Sequence, residues 1–489
     1  MKNKDVLLDV IGEVDDSLIP VHTKKRFSRS RAVIGGVLAA ALIAGMILIL
    51  PKGNRTPAVT PSATEAVSAQ PSEGSATPTD AQEPTVLKIV ESSVKALASA
   101  EYPAISAYLP GGSYDRTGFT SFFENSTQVF LSGAENDNRV YSPMSLFMAL
   151  GMTAEATDGD SRQQILDALG QEDIDALRSY AKLLWEANYS YDSSDCACLF
   201  ADSLWTNSRW SYRQSTLDRI AENYYASSFS GDPAKDEFGR AMRKWINEQT
   251  DDLLTDYTSQ IEPDPATVLA LVSTVNYTGR WVSDFLENHT REDVFHAPSG
   301  DIRCEFMNKE GTDTYYWGEN FGSVTLPIKN NGAMKLILPD EGVTPEELLR
   351  DAEALRYMSV SAGDAYENSK EAVVTLSVPK FDVSSSIGLE DSLAELGVTD
   401  IFEPGAADFT PLTDESDELY VSQAEQDARV MIDEKGCKAV AVTEMGAGAG
   451  AAKPPEEKVE FILDRPFIFE IISKTGFPLF VGVVNNPAA

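Results

Sequence analysis

Histidine is nearly absent, with three in 489 residues: His22, His289 and His296. A Ser-His-Asp or Cys-His nucleophile system needs one of them beside an activated Ser or Cys, and no GxSxG elbow or comparable signature accompanies His289 or His296. Hydrolase chemistry is therefore not expected. Cysteine is scarce as well: Cys196, Cys198, Cys304 and Cys437 are too few and too scattered for a disulfide scaffold, so stability has to come from a core. Cys196 and Cys198 have the spacing of half a metal site, but residues i and i+2 of a strand share one face, where two thiols serve as small apolar side chains. Neither GxGxxG nor GxxxxGK[ST] occurs, so no phosphate cradle is written in the chain. No cofactor and no metal are expected.

Basic charge is in deficit, with 40 Lys and Arg against 76 Asp and Glu and a net charge of −36. Such a chain repels phosphate backbones, heparin-like polyanions and anionic headgroups, which excludes nucleic acid and heparin as partners. Hydrophobic residues at 43% and charged residues at 24% are the proportions of an ordinary globular protein. The length fits three average domains, or one large domain with appendages.

Those appendages are readable. Residues 32–50 (AVIGGVLAAALIAGMILIL) form 19 positions without a charge, about 28 Å as a helix and enough to cross a bilayer core. The run comes after 31 mostly polar residues, unlike a cleavable signal, so it reads as a retained signal-anchor. Lys24, Lys25, Arg26, Arg29 and Arg31 precede it and only Lys52 and Arg55 stand closely behind, which places residues 1–31 in the cytoplasm and everything past Pro51 outside. Residues 1–55 carry nine basic and five acidic side chains, a net of +4 that leaves −40 on the exported remainder of the total −36. Residues 51–84 are mostly Pro, Ser, Thr, Ala and Glu, a linker that buries nothing. An extracellular domain is expected over 85–489.

Within that domain, residues 119–131 and 142–169 have helical apolar spacing, the second opening on Ser142 as an N-cap with Pro143 behind it. The runs 269–275, 324–328, 335–338, 373–378, 459–463 and 467–472 are short, β-rich and bounded by Gly, Pro or Asp, and read as strands. Helices and strands come in blocks, so the fold class is α+β. Towards the C-terminus the chain runs IDEKGCKAVAVTEMGAGAGAAKPPEEK. Cys437, Ala439, Ala441 and Thr443 make one small face of a strand, with Lys438, Val440 and Val442 on the other. A strand with this pattern can slide between two others, and Gly436 before it supplies a pivot. From Met445 through Ala452 charge and bulk are missing, so this stretch is expected to stay exposed and open to proteases.

FILDRPFIFEI (461–471) and LFVGVVNNP (479–487) resemble the C-terminal signature of the serpins. NRVYSPMSL (138–146) is similar to the start of the second serpin helix, and LVSTVNYTGRW through TREDVFH (271–296) to the family's NAxYFKGxW strand and the segment after it. FGSVTLPI (321–328) with MKLILP (334–339), and SVPKFDVSSSIGLEDSLAELGVTDIF (377–402), continue the likeness in family order, over residues 119–487 in all.

The resemblance implies helices packed around three β-sheets, with an exposed reactive-centre loop at about 434–458. It also implies a bacterial, membrane-anchored inhibitor whose loop is cleaved by a target serine protease, or by extension a cysteine protease. The hinge, Glu434, Lys435, Gly436, Cys437, Lys438, Ala439, Val440, Ala441, Val442 and Thr443, then inserts into the main sheet. The nucleophile belongs to the protease, so no catalytic residue is needed here, and a monomer is expected. Family spacing places the scissile bond at Gly450-Ala451, within residues 445–452, where no Arg lies and Lys453 is shielded by Pro454. A small or apolar scissile residue suits elastase-like or subtilisin-like enzymes. Ser142, Ser145 and Gln426 are implied as the sheet gate. Gln426 stands where the family usually has His, Ser273 stands for the usual Asn, and Cys437 replaces a usual Thr or Ser. The alternative is a serpin-fold binding or adhesion module at the cell surface that never inserts its loop.

Overall fold

The computed structural model describes residues 93–102, 115–134, 136–192, 196–250, 252, 255–259, 261–264, 269–329, 332–361, 364–415, 419–437 and 457–488. The tail, span and linker expected over 1–84 lie outside them, as do Lys438, Ala439, Val440, Ala441, Val442, Thr443 and the segment holding Gly450 and Ala451. Among the described residues no helix is long and apolar enough to cross a membrane.

The described chain begins with β1 (Lys95–Ala98), α1 (Thr117–Leu131) and β2 (Arg139–Tyr141), then α2 (Pro143–Ala156), α3 (Gly159–Leu169) and α4 (Ile174–Asn188). Next come β3 (Ser190–Asp192), β4 (Cys196–Asn207), α5 (Gln214–Asn223), β5 (Ala226–Gly231), α6 (Asp236–Gln249), α7 (Thr255–Thr258) and β6 (Leu269–Arg280). A β-rich stretch comes after these: β7 (Arg291–Ala297), β8 (Gly300–Trp317), β9 (Phe321–Ile328) and β10 (Gly332–Pro339). Past α8 (Pro345–Leu348) and α9 (Ala352–Ser359) the chain forms β11 (Ser369–Pro379), β12 (Phe381–Gly388) and α10 (Leu389–Glu395). It ends with β13 (Val421–Gln423), β14 (Glu425–Ile432), β15 (Gly436–Cys437), β16 (Lys458–Ile462), β17 (Phe467–Ile472) and β18 (Pro478–Val484).

These strands make two nine-stranded sheets where three are expected. The main sheet runs β1-β5-β4-β6-β15-β14-β12, with β13 on β6 and β3 on β4. The other runs β16-β11-β8-β9-β10-β17-β18-β2. It is continuous because β8, 18 residues long, pairs with β7 and β11 and then with β9 through Tyr315, Tyr316 and Trp317.

The expected helix over 142–169 is two helices. Thr157 and Asp158 are both extended, Asp158 N–H donates to Asp408 O at 3.0 Å, and Gly159 takes a φ of +55°, a region that favours glycine. Of the pair, α2 is apolar all round and buried along nearly its whole length, the mark of a central helix. Its one acidic residue, buried Glu155, is held by Arg178 of α4 and Arg219 of α5. On the outer face of the main sheet, α6 lays Phe238, Met242, Trp245 and Ile246 against Ala201, Trp205, Phe229 and Ala270, and Val94 joins the same cluster. That contact, with β1 pairing antiparallel to β5, fastens the start of the described chain to the edge of the main sheet.

Candidate functional site

The chain leaves β14 at Ile432 and turns back into the main sheet. Asp433 shapes the turn: its Oδ1 accepts from Lys435 N–H at 2.7 Å and Gly436 N–H at 3.2 Å. Trp281, buried at the end of β6, donates from its backbone N–H to Lys435 O and from its indole Nε1 to Asp433 O, both at 2.9 Å. Phe285 N–H donates to Glu434 O at 2.9 Å. The Glu434 carboxylate meets Lys380 Nζ at 2.8 Å and accepts from Thr290 Oγ1 at 2.7 Å. Burial alone would raise its pKa, but these two partners more than offset that and hold it below the usual carboxylate range.

Gly436 and Cys437 then form β15, wedged between β6 and β14. Gly436 pairs with Arg280 and Cys437 with Gly279 on one side, while Cys437 pairs with Ile432 on the other. Gly436, expected as a pivot, is held here as a strand residue. A Cβ there would lie 2.0 Å from Gly279 O, so the backbones approach more closely than any other residue permits. Of the loop expected over 434–458, the start is buried: Glu434, Gly436 and Cys437 have backbone groups tied to β6, β14 and the segment after Trp281, while residues 438–456 lie outside the described residues. Burial pushes the Cys437 thiol up, so it stays protonated and unreactive.

Beyond Cys437, Val275 and Tyr277 of β6 and Val430 and Met431 of β14 line the two banks of a cleft floored by Ile471 and Phe480. Among the described residues no ladder joins β6 to β14; at the far end β13, the strand just ahead of β14, pairs parallel to β6. The main sheet therefore holds a partly opened slot.

A polar cluster stands under the slot. Ser142 caps α2, its Oγ accepting from Ser145 N–H at 3.2 Å. Gln426, on β14, grips the same cap by its backbone: Ser142 N–H donates to Gln426 Oε1 at 2.8 Å, and Gln426 Nε2 donates to Ser142 O at 3.0 Å. Ser145 turns to the opposite bank, where its Oγ lies 2.8 Å from Ser273 Oγ on β6, and Ser273 Oγ–H also reaches Ser145 O at 3.1 Å. Ser273 touches Asp202 Oδ1 directly across the β4–β6 ladder. The three predicted gate residues thus come together, with Gln426 bound to Ser142 and Ser145 bound to Ser273.

Sequence reasoning missed Asp202. A signal existed: Cys198, Phe200 and Leu204 alternate on the core face of β4, and Asp202 falls in phase with them. Lys380, the cation that holds Glu434, was also missed, since its partner lies 54 positions away. His296 is exposed and bonds Asp301 at 2.7 Å. Among the described residues no group of His, Cys, Asp and Glu has the makings of a metal site.

Comparison with known proteins agrees with this architecture. The family described as "Serpin (serine protease inhibitor)" matches residues 121–487. The chain is 29% identical over 385 residues to a serine protease inhibitor of Cyanea capillata, covering 76% of this chain and 96% of that one. It is 28% identical to alpha-1-antiproteinase of Rattus norvegicus, covering 72% and 84%. Its structure is similar to the native state of the thermophilic serpin tengpin, with a TM-score of 0.68, 27% identity, and coverage of 79% and 97%. Against tengpin in its latent state the TM-score is 0.63 at 25% identity. The partly opened main sheet, the capped gate beneath it and a family match spanning most of the sequence lead to one identification: the chain belongs to the serpin family, whose members are protease inhibitors and not enzymes.

Proposed function

We propose that this protein is a membrane-tethered inhibitor that traps extracellular serine proteases of elastase or subtilisin type. In this reading residues 32–50 anchor it, 51–84 hold the domain off the membrane and 445–452 are the bait. The protease's serine Oγ attacks the carbonyl carbon of Gly450, the Gly450-Ala451 C–N bond breaks, and the leaving amine takes up the serine's proton through the protease's own base. An ester then joins the protease to the upstream fragment. Before water can cleave it, the hinge runs into the main sheet and drags the protease along; about 16 residues at about 3.3 Å each give a travel of about 50 Å.

One observation carries the reading: β15 already parts β6 from β14, and its register can be continued. Extending the pairs Gly436 with Arg280 and Cys437 with Ile432 brings Ala439 opposite Tyr277 and Val430, and Ala441 opposite Val275 and Ala428. Thr443 falls opposite Ser273 on one side and Gln426 on the other, so the gate must yield for the strand to lengthen. The small face of the hinge then points at the core, where its lack of bulk is needed. The test is to mix the full-length chain with pancreatic elastase. An adduct that survives SDS supports the proposal. Cleavage of the loop with no adduct would assign the chain to the binding or adhesion reading.

A further inference from the structure

Asp202 is a carboxyl group in a dry place. It is 1% exposed, its Oδ1 is bonded to Ser273, and its Oδ2 has no hydrogen-bond partner among the described residues. An ionised carboxylate with one oxygen orphaned is costly there, whereas a neutral acid has only a carbonyl oxygen to leave unmatched. Ser273 of β6 bonds it, Ser145 of α2 stands beyond Ser273, Ala226 of β5 is its partner across the parallel ladder, and Tyr102 ahead of α1 is near enough to feel its charge. Only Tyr102 among these can titrate; its hydroxyl is pushed up by burial and by the neighbouring Tyr189 and Asp202, so it stays protonated throughout the neutral range. No cation among the described residues compensates Asp202.

With Ser145 Oγ–H donating to Ser273 Oγ, the single Ser273 hydroxyl proton has two further acceptors within reach, Asp202 Oδ1 on β4 and Ser145 O on α2. With Asp202 ionised, that proton goes to the carboxylate and Ser145 O loses its donor. With Asp202 neutral, the acid O–H donates to Ser273 Oγ, and the Ser273 proton is released to Ser145 O. Protonation thus adds a second hydrogen bond between β6 and the helix, beside the one Ser145 Oγ makes.

We infer that Asp202 is the titratable positioning residue of the sheet gate, deciding through Ser273 whether β6 is tied to α2 by two hydrogen bonds or by one. The inference rests on the loop-insertion reading, because Thr443 has to pass between Ser273 and Gln426 for the strand to extend. Burial pushes the Asp202 carboxyl up to about 7, with the Ser273 bond working against the shift. A carboxyl raised in the fold favours the neutral form, so its contribution is intact at lower pH and is lost as pH rises through the folded value. The gate holds below neutrality and loosens above it.

The test uses the full-length chain and a synthetic peptide of residues 436–449 under reducing conditions, tracking the rate at which the sheet takes up the peptide from pH 6 to 8.5. The natural chain should accelerate with pH by about five-fold, the worth of one neutral hydrogen bond. Asp202→Asn, whose amide donates to Ser273 as the neutral acid does, should stay slow at every pH. Ser273→Ala, which removes the relay but keeps the carboxyl, should be fast and insensitive to pH. In parallel, the thermal midpoint of the natural chain should fall relative to Asp202→Asn over the same range, a readout that needs no insertion. A natural chain whose uptake rate and midpoint difference are both flat with pH overturns the inference and leaves the inhibitor reading standing. No uptake at any pH in any of the three chains overturns both.

Discussion

Replacing Gly436 by Ala is the smallest change that tests how the hinge is held. The new Cβ would lie 2.0 Å from Gly279 O and 2.7 Å from Arg280 Cα, both backbone atoms of β6 that no side-chain rotation can clear. Residue 436 must therefore back away by about 1 Å or more to reach ordinary contact, which dissolves β15. The pairs with Arg280, Gly279 and Ile432 go with it. Two to three backbone hydrogen bonds at about 1 kcal/mol each give a loss of about 2–3 kcal/mol. The less flexible unfolded chain of the Ala variant returns only about 0.5 kcal/mol of that, and only where the native backbone suits it. For a matched region of residues 121–487, an unfolding entropy of about 2.1 cal/mol/K per residue makes each kcal/mol worth roughly 1.3 °C, so the midpoint should fall by about 3 °C. The same contact with β6 recurs when the hinge is fully inserted, so insertion should slow and more of the chain should be cleaved without forming an adduct. Differential scanning calorimetry and adduct yield with elastase read the two effects. A midpoint within about 1 °C of the natural chain, together with an unchanged yield, would refute the placement of Gly436.

Lys380→Met removes the cation that lowers the Glu434 pKa. A depressed carboxyl contributes stability above its unfolded range and loses it as pH falls through the folded value, so the natural chain should exceed the variant at neutral pH and converge with it on acidification; acid-titrated melting curves check this. Val94→Asp puts a charge among Trp205, Phe229 and Phe238 where Val94 is 1% exposed, and should cost about 3 kcal/mol or more by denaturant unfolding. Mass spectrometry after elastase cleavage should find a new N-terminus between Gly446 and Lys453, and adducts with trypsin but not elastase would contradict that register.

What the sequence revealed and what it hid divide along physical lines. Strands such as β10 and β17 were legible because their apolar runs are buried on both faces and bounded by turn residues, and Ser142 because a Ser-Pro pair at a helix start has a local reason to be there. The break between α2 and α3 was not: it depends on Asp408 reaching Asp158 from 250 positions away. Nor was β1, whose KALA sequence has no preference for a strand and becomes one only by adding to β5. The close approach at Gly436 was not legible either, because a glycine's demand for room and its demand for freedom look alike in a sequence. Asp202 was hidden because a single carboxylate gains its meaning from Ser273 across a ladder and Ser145 on a helix, three segments that only the fold assembles.

The central claim is that the hinge becomes a strand of the main sheet, and a crystal structure of the elastase-cleaved chain tests it most directly. The cleaved chain should show a complete antiparallel strand between β6 and β14, in register with Gly436 and Cys437, that brings Thr443 between Ser273 and Gln426. A cleaved chain in which β6 and β14 have closed on each other, with residues 438–443 outside the sheet, would contradict it.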